Sequence, residues 1–107
     1  MAAPQFASAV VALTGSTQTI TLFTAGTQPN STTELTDLTL ESSAAGPFDI
    51  QVLVNGVVVE QYQVGSATPL QVDHFESRPT AVNGQTIQLV LPAGTSNITY
   101  NAAAQVT

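Results

Sequence analysis

The chain has 107 residues, a hydrophobic fraction of 43%, one arginine, one histidine and no cysteine, and its seven acids leave a formal charge of −6. That length allows one domain with one core, and that hydrophobic fraction excludes a disordered chain. The missing thiols exclude a disulfide framework, a thiolate zinc site and a thiol nucleophile, while the acidic balance disfavours nucleic acid and anionic membrane surfaces as partners.

The opening stretch, Met1 to Ser16, has small residues and a short apolar run. It lacks a Lys or Arg ahead of that run, and Pro4 and Gln5 interrupt it, so it does not read as a signal peptide. Residues 1–7 are expected to form an N-terminal arm, with residues 8–107 making a single β-sandwich domain. No stretch approaches the ~20 apolar residues of a membrane span, and a soluble protein is expected.

Period-2 alternation then recurs along the chain, the mark of half-buried strands. Ser8–Thr14 and Thr17–Thr24 flank Gly15-Ser16 and predict two strands around a tight turn. In the second, Ile20 and Leu22 point one way and Thr19, Thr21 and Phe23 the other. Ala25–Thr33, with Gly, Pro and Asn, is a loop. The stretch ELTDLTLES, which begins at Glu34, follows with Leu38 and Leu40 inward and Asp37, Thr39 and Glu41 outward.

Phe48–Val64 predicts a β-hairpin about Asn55-Gly56. Two registers compete. A two-residue turn pairs Val54 with Val57, whereas a three-residue turn with a left-handed Gly56 pairs Val52 with Val58 and Phe48 with Tyr62. The second gathers Phe48, Ile50, Val52, Val58, Tyr62 and Val64 on one face and is preferred, because burial of an apolar set decides register. Leu53, Val57 and Val59 then lie on the outer face as candidate contact residues.

Pro69–Glu76 predicts a strand with Leu70, Val72 and His74 on one side, and the segment SRPTAVNG a turn region. Beyond it, Ile87, Leu89 and Leu91 share a face, as do Ile98, Tyr100, Ala102, Ala104 and Val106. The whole reads as all-β: an antiparallel β-sandwich or jelly roll of about eight short strands, with a barrel as the other closed form.

Little in the chain carries chemistry. His74 and Glu76 share a strand face, but a metal site needs further ligands. Arg78 could hold a carboxylate bidentately, though a salt bridge to an acid such as Asp73 or Glu76 is its ordinary role. Asp37 and Glu41 read as solvent-facing acids rather than a catalytic or calcium-binding pair. No phosphate-cradling glycine loop or nucleophile motif occurs, so neither an enzyme nor a cofactor is expected. Asn30-Ser31-Thr32 and Asn97-Ile98-Thr99 match the glycosylation sequon, but chance matches are common in so threonine-rich a chain.

Three blocks carry a resemblance: TITLFTAGTQPNSTTELTDLTLES, FDIQVLVNG and NGQTIQLVLPAGTSNITYNAAAQV. Over Thr14 to Thr107 the arrangement resembles the small β-structured decoration, or cement, proteins that coat the heads of tailed bacteriophages. The resemblance implies a virion structural protein on the outer surface of the capsid. Its implied partners are the major capsid protein and copies of itself, as a homotrimer, with neither nucleic acid nor membrane bound. Contact residues expected on that reading are Ala2, Pro4 and Phe6 in the arm, Leu53, Val57 and Val59 on the hairpin, and Arg78. A phage tail or fibre domain, or a carbohydrate-binding sandwich, is the alternative. A sugar site would want exposed aromatic platforms, and Trp is absent.

Overall fold

The computed structural model describes residues 3–42 and 46–107, and it is all-β. Nine strands are described: β1 (Ala3–Ala12), β2 (Gln18–Thr24), β3 (Thr32–Glu41), β4 (Phe48–Val54), β5 (Val57–Val64), β6 (Leu70–His74), β7 (Thr80–Val82), β8 (Thr86–Leu91) and β9 (Asn97–Val106). One sheet has the order β1-β9-β3-β6, with short β7 also on β3, and the other the order β2-β8-β4-β5. Every pairing is antiparallel.

The pairings are nested. β4 pairs β5, β3 pairs β6, β2 pairs β8 and β1 pairs β9. This is one long hairpin wound on itself, with Asn55-Gly56 at its tip, and the β3–β9 and β4–β8 contacts complete the two sheets. Leaving β7 aside, the winding is that of a jelly roll. The β-sandwich expected from the alternation is therefore the fold.

The core follows from period 2. Leu38 and Leu40 of β3 and Ile98, Tyr100, Ala102 and Ala104 of β9 are buried. Ile50 and Val52 of β4 and Ile87, Leu89 and Leu91 of β8 belong to the same cluster. Asp37 and Thr39 alternate with the leucines of β3 and stay partly open to solvent.

Departures from the sequence reading concentrate at bulges, where an extra residue shifts the alternation. Register shifts between Thr21 and Phe23, so Leu22 and Phe23 are both buried rather than opposed. A shift between Leu35 and Asp37 brings Leu35 inward beside Leu38. In that bulge the Thr36 hydroxyl donates to the Ala103 carbonyl at 3.1 Å.

The hairpin corrects the preferred register. Val54 pairs Val57 across a two-residue turn, with Asn55 at φ 52° and Gly56 at φ 78°, the conformation a type I′ turn requires. A shift between Val52 and Leu53 then pairs Ile50 with Tyr62 and Phe48 with Val64. The bulged residue is Val59. It restores Tyr62 and Val64 to the core side without a longer turn, while Val58, expected inside, stays exposed.

Two further expectations change. β1 and β2 are not a hairpin: they lie in different sheets, and the segment between them crosses the end of the sandwich. Leu13 N donates to Ser96 O at 2.7 Å there, and Gly94 N to Thr14 O at 2.8 Å. Nor does an arm run to residue 7, since the chain is paired with β9 from Ala3↔Val106 onward. The turn region after Arg78 contains β7, whose buried Ala81 pairs Thr33. No helix among the described residues is long and apolar enough to cross a membrane.

Candidate functional site: the outer face of the β1-β9-β3-β6 sheet

The side chains that face away from the core on this sheet form four cross-strand rows. Because directly opposed residues share a face, the register alone assigns them. Pro4, Gln105, Glu34 and Thr80 make the first row, and Phe6, Ala103, Asp37 and His74 the second. Ser8, Asn101, Thr39 and Val72 make the third, and Val10, Thr99, Glu41 and Leu70 the fourth.

The two flanks are apolar and open to water. Phe6 is 77% exposed and Val10 66%, both on β1, and Leu70 and Val72 are exposed on β6. Between them the β9 residues Thr99, Asn101, Ala103 and Gln105 carry no charge. Amide and hydroxyl side chains lose hydration at lower cost than ions, so this half of the face is suited to contact.

The acids on the face are concentrated on β3, and two of them have a basic side chain beside them. Arg78, the chain's only arginine, donates to Glu34 Oε2 and to Gln105 Oε1, each at 3.2 Å. The salt bridge expected of Arg78 thus forms with Glu34, not Asp73 or Glu76. His74 Nδ1 hydrogen-bonds Asp37 Oδ1 across the β3–β6 ladder. That bond, more than any other contact, holds the Asp37 carboxyl below the ordinary 3.8. The Arg78–Glu34 pair is partly open to solvent, so it contributes little to stability and acts mainly by quieting the field of the face. Among the described residues no group of three or more His, Cys, Asp or Glu comes together as a metal site.

The fold separates the expected contact residues. Pro4, Phe6 and Arg78 belong to this face. Leu53 lies on the outer side of the other sheet, and Val57 and Val59 stand at the hairpin tip, 63% and 42% exposed. Ala2 lies outside the described residues. Sequence reasoning missed Val10, although the even positions Pro4, Phe6, Ser8 and Val10 alternate legibly. Leu70 and Val72 were placed together correctly, but their apolar character gives no sign that the side they share is the wet one.

Where β5 and β6 close the opposite side of the sandwich, the contacts are polar. The Tyr62 hydroxyl donates to Asp73 Oδ2 at 2.7 Å, and Gln71 Nε2 donates to the Gln63 carbonyl at 2.9 Å. Burial first, and then the bond to Asp73, pushes the Tyr62 hydroxyl far above its ordinary 10.0. A cleft of about 210 Å³ lies nearby, lined by Gly46, Pro47 and Gln63 to Thr68. Its described lining has no ionisable side chain and so offers no general acid or base to activate the Ser66 or Thr68 hydroxyl.

No family model matches this chain, and no curated protein matches it. Among solved structures, the chain is similar in fold to the insecticidal delta-endotoxin Cry8Ea1 from Bacillus thuringiensis, with a TM-score of 0.50 and 13% sequence identity. The match covers 92% of this chain but only 19% of the toxin, and at that identity it shows a shared β-sandwich fold and nothing of function.

Proposed function

We propose that this chain is a virion structural protein of the decoration type, which attaches to the outside of a tailed-phage head and ties capsid subunits together. The observation that supports the reading is the outer face of the β1-β9-β3-β6 sheet. It exposes Phe6, Val10, Leu70 and Val72 around an uncharged β9, and the chain's arginine and histidine sit beside two of its three acids. Such a broad face, built from four strands of one sheet, fits a protein surface better than a small molecule. Jelly rolls serve in viral capsids and also in lectins, so the fold is compatible with this role and does not select it. The resemblance to decoration proteins supplies the class of partner, and on it the partner is the major capsid protein. Multiple copies on a lattice would add avidity to modest individual contacts.

The test is co-sedimentation of the purified chain with phage heads assembled without it. The wild-type chain is expected to travel with the heads and to raise the temperature at which they fall apart. Phe6→Lys and Val10→Lys should keep the circular dichroism spectrum yet lose head binding, because each puts a charge on a surface that is already exposed. Val59→Glu, on the other sheet, should keep both fold and binding. A folded wild-type chain that ignores heads, or that binds tails or glycans instead, would overturn the proposal.

A further inference from the structure

Among the described residues β1 is an edge strand, and its outer edge has a pattern that matches itself. Leu13 N donates to Ser96 O, which fixes the phase of the β1–β9 ladder: the odd residues of β1 exchange hydrogen bonds with β9. The even residues therefore aim their backbone N–H and C=O groups away from the sheet. Two of those positions are special. Pro4 has no N–H to offer, and the Ala12 carbonyl already accepts a bond from Gln18 Nε2 at 3.0 Å.

We infer that β1 pairs with β1 of a second copy, antiparallel and centred on Ser8. Only registers that oppose even residues to even residues bring edge-facing groups together. Centring on Ser8 sets Ser8 against Ser8, Phe6 against Val10 of the second copy, and Pro4 against its Ala12. The missing donor of Pro4 then faces the one carbonyl that needs none, while the Pro4 carbonyl accepts from the Ala12 N–H. A register shifted to centre on Ala7 leaves the Val10 carbonyl facing proline. A register centred on Ala9 leaves Pro4 beyond the overlap and sends the Phe6 N–H to the occupied Ala12 carbonyl.

Composition supports the same occupant. Ala3–Ala12 carries no charge, so two copies meet without repulsion along the edge, and nothing charged blunts it in the way exposed edges are normally protected. The two-fold axis runs perpendicular to the sheet. Both outer faces therefore point the same way, and each Phe6 packs beside a Val10 across the junction. The contact is isologous and closes at two copies. It departs in this from the homotrimer implied by resemblance, and it rests on the edge geometry alone rather than on attachment to a phage head.

Light scattering after size exclusion, with no heads present, tests it. The expected mass is twice the 11.0 kDa of one chain. Ser8→Pro removes an N–H that points away from β9, a position where an edge strand tolerates proline, and it should give a folded chain of single mass. Amide exchange on the wild type gives a second readout that needs no variant: Phe6, Ser8, Val10 and Ala12 should be protected as well as their odd neighbours. A single-chain or trimer mass for the wild type, rapid exchange confined to those even amides, or a Ser8→Pro chain that keeps the double mass would each overturn the inference. Head binding is measured separately, so either result leaves the other standing.

Discussion

Tyr62 shows how one side chain can serve both the core and the rim. Its ring packs against the core cluster and its hydroxyl reaches Asp73 on the other sheet, joining two strands that share no ladder. Tyr62→Phe keeps the ring and removes the bond, and about 1 kcal/mol of stability should go with it, measured by urea unfolding at neutral pH. The folded chain holds the Tyr62 proton that the unfolded chain releases near 10.0, so wild-type stability should fall as pH rises above that value. In the Tyr62→Phe chain that part of the alkaline loss should be missing. Neither the Tyr62–Asp73 bond nor the Arg78–Glu34 pair was legible in the sequence. Alternation says which way a side chain points along its own strand, but not which distant strand lies opposite.

At the scale of the element, strand existence was readable and local register was not. β8 and β9 alternate cleanly, as does β3 beyond its bulge, and their buried residues are those the alternation selects. Errors arose around Leu22 and Val59, where one inserted residue reverses the phase and no residue type marks the insertion. The Asn55-Gly56 dipeptide was a sound signal for a turn, and its short form is the one formed. Preference for the longer turn came from gathering Phe48, Ile50, Val52, Val58, Tyr62 and Val64 on one face, whereas the chain keeps the tight turn and leaves Val57, Val58 and Val59 in water. A Cβ on Gly56 would meet no atom within 4 Å, so Gly56→Ala isolates the backbone term. Its left-handed φ should cost about 1 kcal/mol, seen as a lower urea midpoint with an unchanged slope.

For the whole molecule, the two sheets share one core, so damage in the middle should be felt as a single transition. Leu89 is fully buried on β8, the strand between β2 and β4. Leu89→Ala should cost about 2–5 kcal/mol and lower the thermal midpoint without a second step in calorimetry. The candidate face was less legible than the core because its assembly depends on topology. Phe6 and Val10 come from the first strand and Leu70 and Val72 from the sixth, and only the order β1-β9-β3-β6 lays them on one surface.

The nested pairing about Asn55-Gly56 also sets a sequence of events in time. β4 and β5 need close only a two-residue loop, whereas β1 cannot meet β9 until everything from Leu13 to Ser96 has been gathered between them. Loop closure thus favours folding from the middle outward, with slow kinetics for a chain whose pairings are so distant. During synthesis the first of these strands to leave the ribosome is the last to find its neighbour. An uncharged segment, apolar at Phe6, Val10 and Val11, must therefore stay unattached while the rest of the sandwich is made.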